Sequence, residues 1–479
     1  MGYRYLVPVF DEMRSPRSSP SPYEQWDTWA ERAGLDHMRE RTRRSEELFR
    51  RIGITFNVYG DAEGAERLIP FDVVPRVFDE REWDHLAAGL EQRVRALNLF
   101  LADVYHEQRC VADGIIPAEL VAHHDAHVSA MNHFGVPGGV YTHVAGIDIV
   151  RTGPDDFFVL EDNARTPSGV SYMVENRETM LQLFPELFSQ VSVHRVNEYP
   201  LDLLQTLSEC APAQCEGSPT VAVLTPGIYN SAHFEHAFLA EEMGVELVEG
   251  QDLAIIDGRL KMRSVDGYET VDVLYRRIDD AFLDPEVFRP ESTLGVPGLM
   301  QAYADGAVTI ANAPGCGICD DKAVYSFVPD LIRFYLDQDP IIANVETFRC
   351  SEPAQLDHVL ANIKNLVVKE VDGSGGYGML IGPAASRSEI ETFSAKLRAN
   401  PNGYIAQPTL ALSTVPVLSD SGLVPRHVDL RPFVLCGPDE VRITPGGLTR
   451  VALREGSLIV NSSQGGGTKD TWVLRNGNS

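Results

Sequence analysis

The sequence predicts a mixed α/β (α+β) fold, and three stretches carry this prediction. A strand–helix–strand pattern typical of a parallel sheet runs from Thr220 to Val248. Between Gly146 and Gly169, two strand-like runs flank the polar turn GPDD. Later in the chain, the run LVVKE enters a glycine-rich loop and a short apolar run leaves it. Together these patterns indicate one α/β unit combined with antiparallel hairpins.

Length and charge limit the functional classes. The chain has 479 residues, enough for two to four domains. Its 41 basic and 69 acidic residues give a formal net charge of −28, which argues against nucleic acid as the main partner. Because no leader and no membrane-spanning apolar run is recognisable, we expect a cytoplasmic protein with no membrane partner. Seven scattered cysteines fit reduced thiols in that compartment.

Residues 1–135 are expected to form a mostly helical region. Helical periodicity runs over residues 25–51 and 84–108, and short strand-like runs lie between them. The spacing of His123 and His127 would place both on one helical face, as in a zinc site. No third ligand follows at a suggestive spacing, so a partly exposed helix is the favoured interpretation.

Residues 136–200 contain a hairpin with acidic strand ends. Asp148 lies on its first strand, and Glu161 and Asn163 close its second. Glu161 and Asn163 are two residues apart, so their side chains share one face of the strand. Three hard oxygen ligands on one face suit Mg²⁺. The alternative is a solvated hairpin that happens to carry acidic residues.

Residues 201–315 are predicted to form a Rossmann-like domain. Its strands are expected at 220–224, 245–248, 271–275 and 308–311. No dinucleotide fingerprint follows the first strand, so NAD binding is not expected. The pair Cys316-x-x-Cys319 comes next, and a redox role is the weaker interpretation because no thioredoxin-like context surrounds it. Asp320 or Asp321 is expected to cap the following helix.

Residues 316–479 carry the features of a nucleotide site. Lys369 lies on a strand that enters a glycine loop, and Lys322 is a second candidate for phosphate binding. A Rossmann fingerprint needs a helix after its glycines, but here a strand follows, as in a flap that folds over phosphates. A plain glycine-rich turn is the alternative. The predicted flap consists of Gly373, Ser374, Gly375, Gly376, Tyr377 and Gly378.

The last strands add further polar candidates. Gln407 and Thr409 end a strand with a proline turn, a candidate adenine hinge, and Arg431 and Arg450 lie on two later strands. Three glycines and Lys469 within residues 461–470 suit an anion-binding nest, with a disordered tail as the alternative.

This set of parts resembles the ATP-grasp ligases, such as the glutathione synthetase-like enzymes. In those families the D…E-x-N strands lie at the C-terminal end, whereas here they precede every other part. This order implies a circular permutation. The chain as a whole, including LEDNARTPSGVSYM and NSSQGGGTKDTWVL, looks like the circularly permuted ATP-grasp type 2 family, which is related to glutathionylspermidine synthetase.

The resemblance implies ATP-dependent ligation of a small-molecule or peptide carboxylate to an amine through an acyl phosphate, with ATP and one or two Mg²⁺ as cofactors. It implies that Asp148, Glu161 and Asn163 bind metal and that Lys322 and Lys369 bind phosphates. Arg431 becomes the first candidate for stabilising the transferred phosphoryl group. Weaker candidates, for that task or for the substrate carboxylate, are Arg165, Arg450 and Lys469.

No general base for the amine stands out in the sequence. The family is often encoded beside alpha-E and transglutaminase-like proteins, which are therefore candidate partners. A small-molecule kinase of the same fold and a non-catalytic nucleotide-binding scaffold are the alternative functions.

Overall fold

The structure is a computed structural model that describes residues 9–15, 21–53, 55–57, 66–122, 124–373, 378–460 and 465–475; at residues 55–57 and 66–68 it describes the main chain alone. Among these residues, no helix is long and apolar enough to cross a membrane. The α-helices are α1 Glu24–Ala33, α2 Leu35–Ile52, α3 Glu80–Tyr105, α4 Arg109–Ala112, α5 Val170–Leu183, α6 Pro185–Phe188, α7 Tyr199–Glu209, α8 His233–Met243, α9 Leu299–Ala304, α10 Lys322–Tyr325, α11 Val328–Leu336, α12 Pro353–Asn362 and α13 Arg387–Ala399.

Within the described residues, the β-strands belong to five sheets. They are β1 Thr55–Asn57, β2 Glu66–Leu68, β3 Phe71–Phe78, β4 Val144–Arg151, β5 Phe157–Asn163, β6 Val221–Leu224, β7 Glu246–Val248, β8 Leu253–Ile256, β9 Arg259–Ser264, β10 Gly267–Thr270, β11 Val273–Arg276, β12 Thr309–Ala311, β13 Ala343–Asn344, β14 Phe348–Arg349, β15 Leu366–Glu370, β16 Leu380–Ile381, β17 Tyr404–Pro408, β18 Thr414–Ser419, β19 Gly422–Arg431, β20 Phe433–Cys436, β21 Val441–Ile443, β22 Leu448–Val451 and β23 Gly467–Val473.

The N-terminal helices follow the apolar spacing of the sequence. Helix α3 begins at a capping box, in which Asp79 accepts a hydrogen bond from the Glu82 main-chain N–H at 2.8 Å and Glu82 accepts one in return at 3.0 Å. Its core-facing leucines are fully buried. The helix predicted over residues 25–51 is divided into α1 and α2 at Gly34, which has a φ of 76°, a conformation that favours glycine.

The largest sheet joins both ends of the chain. Its main path runs β13-β5-β4-β19-β22-β23-β3, and β18, β20 and β21 extend it. Strand β3 from the N-terminal region pairs in parallel with β23, near the C-terminus. The acidic hairpin β4–β5 lies in the same sheet, and β4 pairs with both β19 and β20. This sheet therefore draws strands from three of the four predicted regions, which explains why the order of the parts can be permuted without loss of the fold.

The Rossmann-like unit has the predicted parallel sheet, in the order β12-β11-β6-β7. Its strands are short, and every residue of β6, β11 and β12 is buried, as expected when helices cover a parallel sheet. An antiparallel β8-β9-β10 meander, which was not predicted from the sequence, is inserted after β7.

A small lobe is formed by the sheet β14-β17-β15-β16 and helices α12 and α13, and it has its own apolar core. Strands β15 and β16 pair antiparallel, with Val367 opposite Ile381 and Val368 opposite Leu380. The predicted strand–loop–strand arrangement around the glycines is thus confirmed. The small lobe faces the large sheet, and the cleft between them contains the polar residues described next.

Candidate functional site

One cavity of about 410 Å³ lies between the small lobe and the large sheet. Ten of the predicted site residues line it: Asp148, Glu161, Asn163, Arg165, Lys322, Lys369, Gly373, Gln407, Arg431 and Arg450. They come from β4, β5, the loop after β5, α10, β15, the glycine loop, β17, β19 and β22. Residues 374–377 of the predicted flap lie outside the described residues.

The acidic hairpin places Asp148 directly opposite Glu161, and the register shifts just beyond this pair. Asp148 is fully buried, and both of its carboxylate oxygens accept hydrogen bonds from guanidinium groups. Arg431 binds it through Nε at 2.5 Å and Nη2 at 2.8 Å, and Arg450 Nη2 donates at 2.7 Å. Burial opposes ionisation, but these two arginines hold the pKa of Asp148 below its ordinary value.

Arg450 lies between two buried acids. Besides Asp148 it binds Asp429, with Nε 2.9 Å from Oδ1. Burial raises the pKa of Asp429, and Arg450 opposes that rise. Asp429 was not among the predicted site residues, although in the run HVDLR it lies two residues before Arg431 and on the same face of β19. The floor of the cavity is therefore a network of two aspartates and two arginines.

Glu161 and Asn163 face the cavity with fewer close partners. Lys322 Nζ and Arg431 Nη2 each lie 3.8 Å from a Glu161 oxygen, beyond hydrogen-bonding distance. Asn163 donates from Nδ2 to the Gly146 carbonyl oxygen at 3.2 Å, so its amide oxygen is the atom left for a ligand. A carboxylate and an amide oxygen, beside a second carboxylate, form a donor set that fits a divalent cation.

The two predicted phosphate lysines line the same cavity. Lys322 follows Asp321, whose carboxylate caps α10, and donates from Nζ to the Gly373 carbonyl oxygen at 2.5 Å. The ammonium group of Lys369 forms no hydrogen bond or ion pair within the described part of the chain. Burial and the positive charge of Lys322 lower the pKa of Lys369 to about 8, against the opposing effect of Glu161. An anion between these lysines would relieve their repulsion.

Part of the cavity lining is an apolar wall, whose residues were not predicted from the sequence. Gln407 lines the same cavity and donates from Nε2 to Thr347 Oγ1 at 3.0 Å. Thr409 does not line the cavity; its hydroxyl donates to the Asn365 carbonyl oxygen at 3.0 Å. The wall consists of Leu160, Val345, Met379, Ile381, Leu410, Leu412, Leu458, Ile459 and Val460.

Lys469 is placed elsewhere, which corrects its prediction as a cavity residue. It lies on β23, is fully buried, and forms an ion pair with Asp72. It also donates to the carbonyl oxygens of Val74 at 2.9 Å and Pro416 at 2.8 Å. Residues 467–470 are strand and form no anion nest, while residues 461–464 lie outside the described residues. Gly378 is described but does not line the cavity either.

The two weaker site interpretations receive no support. His127 closes a turn in which its main-chain N–H donates to the His124 carbonyl oxygen at 2.8 Å, so it does not lie on the expected helix, and His123 lies outside the described residues. Among the residues that the structure describes, no group of three or more His, Cys, Asp or Glu side chains could hold a metal ion. Cys316 and Cys319 are fully buried, and burial raises the pKa of Cys316 to about 12, which disfavours a reactive thiolate.

Comparison with known proteins identifies the family. The family model "Circularly permuted ATP-grasp type 2" matches residues 75–452. An uncharacterised Synechocystis protein is 52% identical over 424 residues, covering 88% of each chain. A Frankia alni protein with the provisional name glutamate–cysteine ligase 2-3 is 46% identical over 479 residues, covering 98% of this chain; the chain spans only 54% of that relative.

Among solved structures, a glutathione synthetase-like effector of Globodera pallida in its apo form aligns with a TM-score of 0.56, covering 92% of this chain and 98% of the other. The sequence identity is 11%, so this likeness supports the fold alone. The predicted family and fold are thereby confirmed. The chain belongs to the circularly permuted ATP-grasp type 2 family and is a ligase of the ATP-grasp type.

Proposed function

We propose that this ligase binds ATP in the cavity between the small lobe and the large sheet, activates a carboxylate there as an acyl phosphate, and joins it to an amine. One observation carries the proposal. Lys322, Lys369 and Arg431 converge on one cavity with Glu161 and Asn163, although these residues come from four separate parts of the chain. Phosphoryl transfer depends mainly on positioning and charge neutralisation, which this arrangement supplies.

In this proposal the apolar wall binds the base of the nucleotide, and the two lysines bind its phosphates. The aliphatic side chains of the wall suit a planar base, and Gln407, which lines the same cavity, offers polar atoms to that base. Lys322 and Lys369 would neutralise the α- and β-phosphates, since the positive charge of Lys369 has no anionic partner in the described chain. Binding ATP would therefore lower the electrostatic free energy of the site.

The metal would be held by Glu161, by the amide oxygen of Asn163 and by the remaining lone pairs of Asp148. When bound, Mg²⁺, as one ion or two, supplies neutralisation of the negative charge on the β- and γ-phosphates. Asp148 also orients Arg431 and Arg450 in this proposal, because its carboxylate accepts hydrogen bonds from both guanidinium groups.

Arg431 would act on the transferred group. In the first step a carboxylate oxygen attacks the γ-phosphorus, the bond from that phosphorus to the ADP oxygen breaks, and ADP leaves. Two guanidinium nitrogens of Arg431 are engaged by Asp148, and Nη1 donates to the Ser168 carbonyl oxygen at 3.3 Å. This fixed orientation would let Arg431 stabilise the charge of the phosphoryl group as it moves. Arg165, at the edge of the cavity, would hold the substrate carboxylate.

Trapping of the activated acid tests this proposal. Purified protein is incubated with Mg-ATP, a low-molecular-weight cell extract and excess hydroxylamine, and hydroxamates are sought by mass spectrometry. We expect an ATP-dependent hydroxamate, its loss in Glu161→Ala, and its retention in Asp155→Asn, which removes an exposed charge from the same hairpin. ADP with a stable phosphorylated product and no hydroxamate would instead favour the kinase alternative.

If neither a hydroxamate nor a phosphorylated product formed, the result would favour the scaffold alternative. The alpha-E and transglutaminase-like partners and the cytoplasmic location stay predictions. Co-purification of tagged protein from cells, followed by mass spectrometry, would test the partners, and fractionation of the same cells would test the location.

A further inference from the structure

A second cavity, of about 1030 Å³, adjoins the nucleotide cavity. Arg165, Asp320, Glu370 and Asp372 line both cavities and form the boundary between them. A molecule in the second cavity would thus reach the nucleotide cavity past these four side chains. In the proposed function, this boundary is where an acyl phosphate would meet its second substrate.

Asp320 is held at this boundary, and one of its oxygens accepts no hydrogen bond from the residues that the structure describes. Its Oδ1 accepts hydrogen bonds from the main-chain N–H groups of Ala164 at 2.5 Å and Arg165 at 3.2 Å. Its Oδ2 lies 3.7 Å from Arg165 Nε, which is too far for a hydrogen bond. The two main-chain contacts fix the carboxylate, and Oδ2 keeps its capacity to accept a proton.

The surroundings of Asp320 also suit proton transfer near neutral pH. Burial raises its pKa to about 6, against the opposing main-chain hydrogen bonds and the positive charges of Arg165 and Arg276. Cys316 and Cys319 lie close to it, and burial raises the pKa of both thiols. Glu370 and Asp372 are the other acids of the boundary. A base whose pKa lies near the working pH is the most effective in catalysis.

The second cavity carries mostly negative charge. Besides the three acids of the boundary, Glu119, Asp125, Asp321 and Glu352 line it. Against these seven carboxylates stand two guanidinium groups, those of Arg165 and Arg349. Such a cavity favours a substrate that arrives as an ammonium ion over one that arrives as an anion.

We propose that the second cavity binds the amine substrate as its ammonium ion and that Asp320 is the general base that deprotonates it. This inference rests on the proposed function. Asp320 takes one proton from the ammonium group, and the nitrogen lone pair forms the C–N bond to the acyl carbon. The C–O bond to phosphate breaks, and the second proton departs with the phosphate that is released, leaving the amide.

A comparison of two nucleophiles of similar size distinguishes deprotonation of the amine from activation of the carboxylate. Hydroxylamine is largely neutral at neutral pH and needs no base, whereas methylamine, like lysine, is almost entirely protonated. Wild-type protein with Mg-ATP and the extract should give both the hydroxamate and the methylamide. In Asp320→Asn, we expect the ratio of methylamide to hydroxamate to fall by about 10²–10⁴-fold, the usual contribution of a general base. Raising the pH should restore methylamide formation, because free methylamine then becomes available.

The outcomes are distinct. An equal loss of both products in Asp320→Asn, or hydroxamate without methylamide in the wild type, would overturn the assignment of the base. Absence of hydroxamate in the wild type would overturn the proposed function and this inference with it.

A second pair of variants tests the cavity without touching its boundary. Asp125 is exposed at the second cavity, and Asp113 is an exposed acid that lines neither cavity. Asp125→Asn should raise the KM for methylamine by roughly two- to fivefold, the effect of one partly screened charge, and leave that for hydroxylamine unchanged. Asp113→Asn should change neither. Equal KM values for methylamine in the two variants would place the amine elsewhere.

Discussion

Lys369 and Lys469 look alike in the sequence and differ completely in the fold. Each lies on a strand beside a glycine-rich loop, and both were predicted to serve the nucleotide site. Lys369 lines the cavity and has no anionic partner in the described chain, whereas Lys469 is enclosed by Asp72 and two carbonyl oxygens. A buried cation that is already satisfied supports the fold, and one left unsatisfied at a cavity indicates an external anion.

The largest expected effect concerns the satisfied lysine. Lys469→Met leaves the buried carboxylate of Asp72 without its counter-charge, which should lower the free energy of unfolding by about 3–5 kcal/mol. Urea unfolding followed by circular dichroism measures this. The double variant Lys469→Met/Asp72→Asn should recover part of the loss. If Lys469→Met kept wild-type stability but lost ATP turnover, the contrast between the two lysines would be broken.

The next effect concerns the unsatisfied lysine. Lys369→Met should lower kcat/KM for ATP by about 10²–10³-fold, as expected for the loss of one group that stabilises transferred charge. Stability should not decrease, since the substitution removes a partly desolvated charge that forms no ion pair with any described residue. Hydroxamate formation and urea unfolding give the two readings. Lys364→Met, at an exposed site of the same lobe, is the matched control.

Arg450 belongs to both kinds of region, because it lines the cavity and is also bound by two buried acids. Arg450→Lys keeps the charge but cannot reproduce both guanidinium contacts. We expect a loss of about 1.5–3 kcal/mol in the free energy of unfolding, together with reduced turnover. A variant that lost turnover alone would show that Arg450 serves the cavity, as Lys369 does. A variant that lost stability alone would show that Arg450 supports the fold, as Lys469 does.

The smallest effect is a proton taken up on binding. With the pKa of Lys369 at about 8, ATP binding at pH 8 should take up about half a proton, because the phosphates restore the charged form. Calorimetry in buffers of different ionisation enthalpy measures this uptake, and Lys369→Met should abolish it.

The same pKa predicts two opposite trends. Above about pH 8 the affinity for ATP should fall as Lys369 loses its proton. Between the folded pKa and the higher unfolded value, the unfolded chain binds more protons, so the stability of the ligand-free protein should rise with pH over that range. Parallel trends in affinity and stability would contradict the shifted pKa.

Local patterns were sufficient for much of the fold. The parallel sheet, the acidic hairpin and the strand–loop–strand around the glycines followed from periodicity and turn residues, which act over a few positions. Asp148 opposite Glu161 was within reach of the same reasoning, because a hairpin fixes its own register. The break at Gly34 and the β8-β9-β10 meander were missed, although both are marked by glycine turns.

The family, the permuted order of the parts and ten of the residues that line the cavity between the small lobe and the large sheet could thus be predicted from the sequence. Which of the buried charges are already paired is visible only in the folded chain. Lys469 meets Asp72 across 397 residues, Arg431 meets Asp148 across 283, and Asp320 reaches Ala164 across 156. The pairing of a buried charge depends on such distant contacts, and no local pattern contains them.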